Sequence, residues 1–206
     1  TGFRPGSSVV ENAMPHVGKR LVVNVDLKGF FPNTKFPRIL KVLHFRLHGR
    51  FSPRAVRLLA VLCSFSGGLP TGAPTSPAIA NQVLSRADRS IRKAAEVKNV
   101  CYTRYADDLT FSGDGHEPVE ILPFVEEVVG QLGYQLDPKK TNFFRKGRRQ
   151  CVTGLVVNQK PNLAKPLRRR LRAAVHRYVH QKPMEWHGRP MNLTQLLGRL
   201  GFLAQT

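Results

Sequence analysis

Paired carboxylates inside a β-forming run are the feature that most restricts this chain. From Val100 to Ser112 the sequence alternates and is rich in strand formers on both sides of Ala106-Asp107-Asp108, which predicts a hairpin with two carboxylates in its turn. A second run, Leu21-Val22-Val23-Asn24-Val25-Asp26, reads as a buried strand that stops on a third carboxylate. Adjacent Asp residues standing alone are ordinary turn chemistry, because Asp tolerates turn conformations and bonds its own backbone. Here the flanking strands and the third carboxylate argue for more. Like charges crowded together are costly without a cation between them, and a divalent metal would relieve that cost.

The rest of the charge points to a polyanion. Lys and Arg number 33 against 13 Asp and Glu, a net charge of +20, and such a surface repels itself unless phosphates sit on it. A purely electrostatic binder of ribosomal or histone type meets that requirement too, since any phosphate backbone rewards Lys and Arg. No apolar stretch approaches the roughly 20 residues that span a bilayer, so no membrane partner is expected. Cys63, Cys101 and Cys151 are odd in number and far apart, which supports neither a disulfide framework nor a zinc site and fits a reducing compartment. With 206 residues, 41% of them hydrophobic, the chain can bury one core, with at most a small appendage. It begins at Thr1 rather than Met and stops at Thr206 just past an apolar run, so it reads as a piece of a longer protein.

Between the carboxylates the pattern is mostly helical. Lys28 to Asn33 reads as a turn-rich loop, followed by helices from about Phe36 to Leu47 and Pro53 to Cys63. Ser66 to Pro77 is too rich in Gly and Pro for a regular element, yet it leads into a long helix with Ser76 as N-cap and Pro77 in the first turn. Ile79, Val83, Ala87, Ile91 and Ala94 share one face of it, with Arg86, Arg89, Arg92 and Lys93 elsewhere. Pro118 to Gly130 predicts an amphipathic helix closed by Gly130 or Gly133. A basic stretch from Lys139 to Arg149 then precedes a strand from Cys151 to Val157. From Lys165 to His180, Leu167, Leu171, Val175 and Val179 repeat at helical spacing among Arg168, Arg169, Arg170, Arg172 and Arg177. A solvated helix with a buried stripe explains part of that pattern, and the density of Arg suggests a helix lying along phosphates.

Joining a nucleotide to a 3′-hydroxyl needs one metal to lower the hydroxyl's pKa and another to neutralise the triphosphate, roughly 3.5–4 Å apart. Hard oxygen ligands must hold both. Asp26 and Asp107-Asp108 meet the requirement if the hairpin lies beside the first strand.

At these residues the chain resembles reverse transcriptases of the retron type. Tyr105-Ala106-Asp107-Asp108 resembles their Tyr-x-Asp-Asp motif, and Val25-Asp26 through Phe31 resembles their first catalytic-aspartate motif. Leu69-Pro70-Thr71-Gly72-Ala73-Pro74-Thr75-Ser76-Pro77 resembles the loop and helix start under the incoming nucleotide and template. Asn12-Ala13-Met14-Pro15-His16 is similar to the retron signature Asn-Ala-x-x-His, and Val152-Thr153-Gly154 to the second retron signature. The resemblance implies an α+β fold: a right-hand polymerase palm, an antiparallel sheet packed on helices, with partial fingers and the start of a helical thumb. Residues 1–20 would link fingers and palm, 21–160 form the palm with fingers-proximal helices in 36–75, and 161–206 begin the thumb.

The same resemblance implies two Mg2+ ions, replaceable by Mn2+, held by Asp26 and Asp107 with Asp108 close by and the Leu27 carbonyl as a backbone ligand. Gly29 and Phe30 would cradle the triphosphate through their backbone, with Thr71, Gly72 and Lys140 also on the nucleotide. Lys140 would approach the phosphates and protonate the pyrophosphate leaving group, a solvated basic loop being the plainer account of it. Phe31 would exclude a ribose 2′-hydroxyl, against the plainer role of a core aromatic. Val152, Thr153, Gly154 and Leu155 would grip the primer, and Arg168, Arg169 and Arg172 would lie on RNA. For Asn12 and His16 a structural or RNA-contact role is expected, and His16 is not expected to be a general base. Thr71 stands where related enzymes have the Gln of Leu-Pro-Gln-Gly, and its shorter hydroxyl cannot span the same gap.

The expected function is an RNA-directed DNA polymerase of the bacterial cytoplasm. It would use deoxynucleoside triphosphates to copy a structured non-coding RNA into single-stranded, RNA-linked multicopy DNA, in phage defence and with room for an effector protein. The competing readings are a catalytically silent RNA-binding scaffold of the same fold and a group II intron-type reverse transcriptase, the Asn12 to His16 string arguing against the latter. The charge of +20 predicts RNA affinity that falls steeply with salt, as counterions released from phosphate oppose binding. Fluorescence anisotropy with a labelled RNA checks it, and a flat affinity between low and moderate salt would contradict it.

Overall fold

The computed structural model describes residues 2–3 and 6–206. Its frame is a four-stranded antiparallel sheet of β1 (Leu21–Asp26), β2 (Cys101–Tyr105), β3 (Asp108–Gly113) and β4 (Asn142–Arg145), in the order β2-β3-β1-β4. Because side chains alternate along a strand, each strand serves two faces. Leu21, Val23 and Val25 of β1 and Leu109 and Phe111 of β3 enter one hydrophobic core, while Val22 enters another. Asn24 and Asp26 alternate with the first set and so share Val22's face, as do Asp108, Thr110 and Ser112 of β3 by their register with β1.

Helices cover the first face. After the short α1 (Val9–Ala13) and α2 (Phe30–Asn33) come α3 (Phe36–Leu47), α4 (Pro53–Leu62), α5 (Ser76–Val83), α6 (Ser85–Val97), α7 (Glu117–Glu120) and α8 (Leu122–Gln131). Ile39, Ala60, Ile79, Val83, Ala87, Ile91, Val125 and Val129 from these helices close over the sheet. The other core lies beside β1's opposite face. It joins Ala13, Val22 and the small hairpin β5 (Cys151–Val152) and β6 (Leu155–Val156) to α9 (Lys165–Val179). Beyond α9 follow the hairpin β7 (Glu185–Trp186) and β8 (Arg189–Pro190) and a final helix, α10 (Leu193–Ala204).

Several sequence expectations are corrected. The long helix after Pro77 breaks at Leu84 into α5 and α6, and the buried stripe ends on Ala95 rather than Ala94. Thr75, not Ser76, is the residue before the helix, and the Ser76 hydroxyl instead donates to the Pro70 carbonyl at 2.7 Å, tying the Gly/Pro-rich loop to the helix start. Lys28 to Asn33 contains the one-turn α2. The helix expected over Pro118 to Gly130 divides at Ile121, and its closing glycine is Gly133, at φ +71°, while Gly130 is helical. The basic stretch after Lys139 hides β4. The strand expected from Cys151 to Val157 is a hairpin whose turn, Thr153-Gly154, has positive φ at both residues. On α9 the apolar stripe runs through Leu167, Leu171, Ala174 and Val175, whereas Val179 is exposed.

The N-terminal segment closes the upper part of the polar face through His16, which is 0% exposed. Its Nδ1 lies 2.7 Å from Ser112 Oγ and its Nε2 2.8 Å from Thr103 Oγ1. Thr103 donates its own proton to the Asn12 carbonyl at 3.3 Å, so its oxygen accepts from Nε2–H and Ser112 donates to Nδ1. Neutral imidazole satisfies this arrangement. Burial, helped by the Lys19 charge, lowers the His16 pKa from 6.5 to about 4. The unfolded chain therefore takes up a proton at His16 between about pH 6.5 and 4 while the folded chain does not, and stability falls as pH falls through that window. The expected loss is about 3 kcal/mol by the lower end. Urea midpoints measured against pH check it: the difference between native protein and His16→Gln should be largest and level above about pH 6.5 and shrink towards pH 4, and a constant difference across that range would contradict it.

Candidate active site

The antiparallel register of β1 and β3 sets Asp26 opposite Asp108, a position at which facing Cβ atoms stand roughly 4.5–5.5 Å apart. The Asp107 carbonyl accepts from Leu27 N at 3.3 Å, which fastens the hairpin turn to the end of β1. Three carboxylates are thereby gathered at one edge of the sheet. Asp26 is 7% exposed and receives Lys140 Nζ at 2.9 Å on Oδ1. Burial raises the Asp107 carboxyl above its usual range, with the Asp26 charge adding to it. Asp108 is pushed up to about 6, by burial first and then by the charges of Asp107 and Asp26. The Lys140 ammonium is raised in turn by its hydrogen bond to Asp26.

Two openings meet at these carboxylates. One, of about 510 Å³, is walled by Phe3, Phe31, Thr71, Gly72, Tyr105 and the Asp107-Asp108 turn. The other, of about 410 Å³, lies across Asp26 and Asp108 and is lined by Asn24, Lys140, Asn142, Thr153 and Gly154 among others. Helix α2 divides its aromatic pair between core and cavity: Phe30 is buried against Tyr134, with ring centroids 4.9 Å apart, while Phe31 reaches the first opening. The loop carrying Thr71 is pinned to α2 by Leu69 N, which is within 3.2 Å of both the Phe31 and Thr34 carbonyls. That approach requires Gly68, where a Cβ would meet the Pro32 carbonyl oxygen at 2.5 Å.

Asp26, Asp107, Asp108, Phe31, Thr71, Gly72, Lys140, Thr153 and Gly154 are thus brought around one site from five separate stretches of chain. Leu27 is buried, and its carbonyl accepts from Phe30 N at 3.2 Å, so Phe30's N–H is spent inside the turn. Val152 and Leu155 are core residues that hold the hairpin, which Asn24 Nδ2 ties to β1 through the Cys151 carbonyl at 2.8 Å. Arg169 and Arg172 are exposed and Arg168 half-buried on α9, and none of the three lines either opening. Asn12 and His16 are buried behind the polar face, so direct RNA contact by their side chains is replaced by a structural role.

Sequence reasoning missed Asn24 and Asn142, which line the second opening, and Phe3, whose ring centroid is 5.0 Å from that of Tyr105. It also missed Arg104, 3% exposed under the carboxylate turn. Its signal was an Arg inside an alternating strand two residues before Ala106.

As to metal, among the described residues no group of three or more His, Cys, Asp or Glu side chains is arranged to hold a metal ion. An open set of carboxylates nonetheless suits Mg2+, which keeps several waters and is completed by substrate phosphates. The donor set is all oxygen, and the Asp107 and Asp108 carboxyls are raised by burial first and then by neighbouring carboxylate charge, the part that a divalent ion relieves. Asp26, Asp107 and Asp108 are the residues that could hold it.

Comparison with known proteins agrees with this geometry. Residues 1–189 match the family described as Reverse transcriptase (RNA-dependent DNA polymerase). The chain is 38% identical to the retron Mx65 reverse transcriptase of Myxococcus xanthus, over 90% of this chain and 47% of that protein. It is also 38% identical to the retron Mx162 reverse transcriptase of the same organism, over 100% of this chain and 48% of the relative. To the retron Ec86 reverse transcriptase of Escherichia coli it is 32% identical, over 89% of this chain and 57% of the relative. The chain spans about half the length of the curated relatives it matches. Among solved structures it resembles telomerase from Candida tropicalis, with a TM-score of 0.54 at 9% identity over 76% of this chain and 38% of that one, a likeness of fold. A telomerase from Candida albicans, solved with a fragment of telomeric RNA, also gives a TM-score of 0.54 at 9% identity, over 95% of this chain and 40% of that one. The fold is that of a polymerase palm, and the chain belongs to the reverse transcriptase (RNA-dependent DNA polymerase) family.

Proposed function

We propose that this chain is the palm of a retron-type RNA-directed DNA polymerase, with residues 1–20 linking fingers to palm, 21–160 forming the palm and 161–206 beginning the thumb. The observation that carries the reading is the pairing of Asp26 with Asp108, with Asp107 fastened to Leu27, at the meeting of two openings.

Asp26, Asp107 and Asp108 would hold two Mg2+ ions, or Mn2+ in their place, with the Leu27 carbonyl as a further oxygen. Bound there, the metals supply an acidified 3′-hydroxyl and charge neutralisation at the triphosphate. The protein's own part is orientation. The turn after β1 is assigned to the triphosphate through Gly29, since the Phe30 N–H is already spent on the Leu27 carbonyl. Thr71 and Gly72 line the first opening together with Phe31, whose ring would exclude a ribose 2′-hydroxyl. Lys140 rests on Asp26 in the free chain and turns to the phosphates when nucleotide is present, within reach to protonate the leaving pyrophosphate. The β5–β6 hairpin, Val152 to Leu155, borders the second opening and grips the primer end, while Arg168, Arg169 and Arg172 on α9 follow the RNA away from the site.

The substrate is a structured non-coding RNA that serves as template and primer, copied from deoxynucleoside triphosphates into RNA-linked single-stranded DNA. Phage defence in the bacterial cytoplasm, with an effector protein, is the role proposed for that product. Among the described residues no helix is long and apolar enough to cross a membrane.

Primer extension on an RNA template tests the reading. Asp107→Ala and Asp108→Ala should each lower incorporation roughly 100-fold or more, the order seen when a group stabilising transition-state charge is removed. Incorporation equal to the native protein's would sink the proposal. In the same assay Phe31→Ala should narrow the preference for deoxynucleotides over ribonucleotides by roughly 10- to 100-fold, the range open to a single steric contact. An unchanged ratio of the two incorporation rates would return Phe31 to the role of a core aromatic.

A further inference from the structure

The turn that carries Asp107 and Asp108 is built on an unfavourable conformation. Ala106 has φ +56°, the left-handed region that a residue with a Cβ avoids. Nothing in the sequence of a two-residue turn reading Ala-Asp, rather than Asn-Gly or Gly-x, would hold it there unaided. An outside contact must favour it over the alternatives.

That contact is Arg104. Register on β2 turns its side chain to the helical face, away from the carboxylates, where it is almost fully buried. Its Nη1 donates to the Ala106 carbonyl at 2.7 Å and to Asn81 Oδ1 of α5 at 3.1 Å. Its Nε and Nη2 hold Asp88 of α6 at 2.7 and 2.5 Å, one to each carboxylate oxygen. Asp88 Oδ1 also accepts from Tyr102 Oη at 2.8 Å. Every arm of the guanidinium fork is thus spent, and its orientation is set by two helices of the core rather than by the turn it supports. The chain before α1 joins the same network, since Asn81 Nδ2 donates to the Gly2 carbonyl at 2.9 Å and Gly2 N to the Arg104 carbonyl at 3.2 Å.

The geometry points to Arg104, clamped by Asp88 and Tyr102, as the positioning residue that fixes the Ala106 turn and so the placement of Asp107 and Asp108 against Asp26. It touches no reacting atom. Its action passes through one peptide carbonyl, and the carboxylates on the far face of the sheet inherit the rigidity of α5 and α6. A buried Arg-Asp pair adds little to stability when set against an apolar replacement. A pair retained under a metal-binding turn is better explained by orientation.

The inference rests on the carboxylates binding divalent metal, as proposed above, so the first readout is Mn2+ itself, titrated into the full protein without RNA or nucleotide and followed by electron paramagnetic resonance. Arg104→Lys keeps the charge but cannot span four acceptors, and Asp88→Asn leaves Arg104 without its bidentate clamp. Each is expected to weaken Mn2+ binding roughly 10-fold or more, the order of one lost charge-assisted hydrogen bond. The double variant should be no weaker than the worse single one, because both act through the same contact. Val129→Ala, a core truncation on α8 outside the network, should lower Tm and leave Mn2+ affinity unchanged. Should Arg104→Lys fail to fold, Tyr102→Phe, which removes only the hydroxyl on Asp88, carries the comparison. In primer extension the variants should lose rate at saturating nucleotide with little change in the nucleotide KM. Native-like Mn2+ affinity in the variants overturns the inference, as does an equal loss in Val129→Ala at the same fall in Tm. A native protein that binds Mn2+ but extends no primer removes the polymerase reading, and the Mn2+ comparison still decides the role of Arg104. A native protein that binds no Mn2+ overturns both.

Discussion

The structure depends on the register of one strand pair. With Val25 opposite Leu109 and Asp26 opposite Asp108, every apolar residue of β1 and β3 that belongs to the helical core faces it, and both carboxylates face away. A slip of one residue would reverse both faces. Asp26 and Asn24 would then enter the core in place of Val23 and Val25, and burying the charge alone costs several kcal/mol after relaxation. The hydrophobic pattern that stabilises the fold is therefore the same pattern that aligns the carboxylates. Folding and site assembly cannot be separated in this sheet.

Polar groups secure the sheet from both sides, and each does so in a way that its burial dictates. On the polar face His16 bridges Ser112 and Thr103, joining the N-terminal segment to both strands of the hairpin with a neutral ring. On the helical face Arg104 does the opposite: it keeps its charge, because Asp88 lies within hydrogen-bond distance of two of its nitrogens. The two retron signatures also meet here. Thr153 Oγ1 donates to the Val9 carbonyl at 3.3 Å, and Ala13 packs in one core with Val152 and Leu155. Two strings some 140 residues apart in sequence thus form one support for the β5–β6 hairpin beside the carboxylates.

Much of this was legible in the sequence, and the reasons divide by element. Strand β1, α3 and the carboxylate hairpin follow from period and from turn chemistry, and their bounds agree with the expected ones. The break at Leu84 has no Gly or Pro to announce it, whereas the division at Ile121 is followed by Pro123 in the first turn of α8, a start signal inside what reads as one amphipathic run. Strand β4 was hidden because Asn142-Phe143-Phe144-Arg145 is an edge strand, mostly exposed, set in a basic stretch that reads as a loop. The β5–β6 turn was hidden because the apolar residues on either side of Thr153-Gly154 read together as one short strand, although Gly154 is a turn former. At the site, types and spacing pointed to Asp26, Asp107 and Asp108, and the resemblance to reverse transcriptases pointed to Phe31 and Lys140. Arg104 and Asp88 needed the register, since only pairing β2 with β3 shows which face an Arg in an alternating strand will take.

The charge balance around the carboxylates follows from these placements. Three acidic groups lie close enough that burial and mutual repulsion raise two of them, and among the described residues Lys140 alone answers them with an ion pair on the open face. Arg104, beneath the sheet and paired with Asp88, offsets the rise of the Asp107 carboxyl least of the contributions to it. The chain carries a net +20 yet leaves this one edge under-compensated, while most of its basic residues lie elsewhere on the surface. A surface that attracts phosphate and an edge that lacks positive charge make complementary demands: a polyanion would be drawn to the first, and on the proposed reading the second would accept it together with divalent cations.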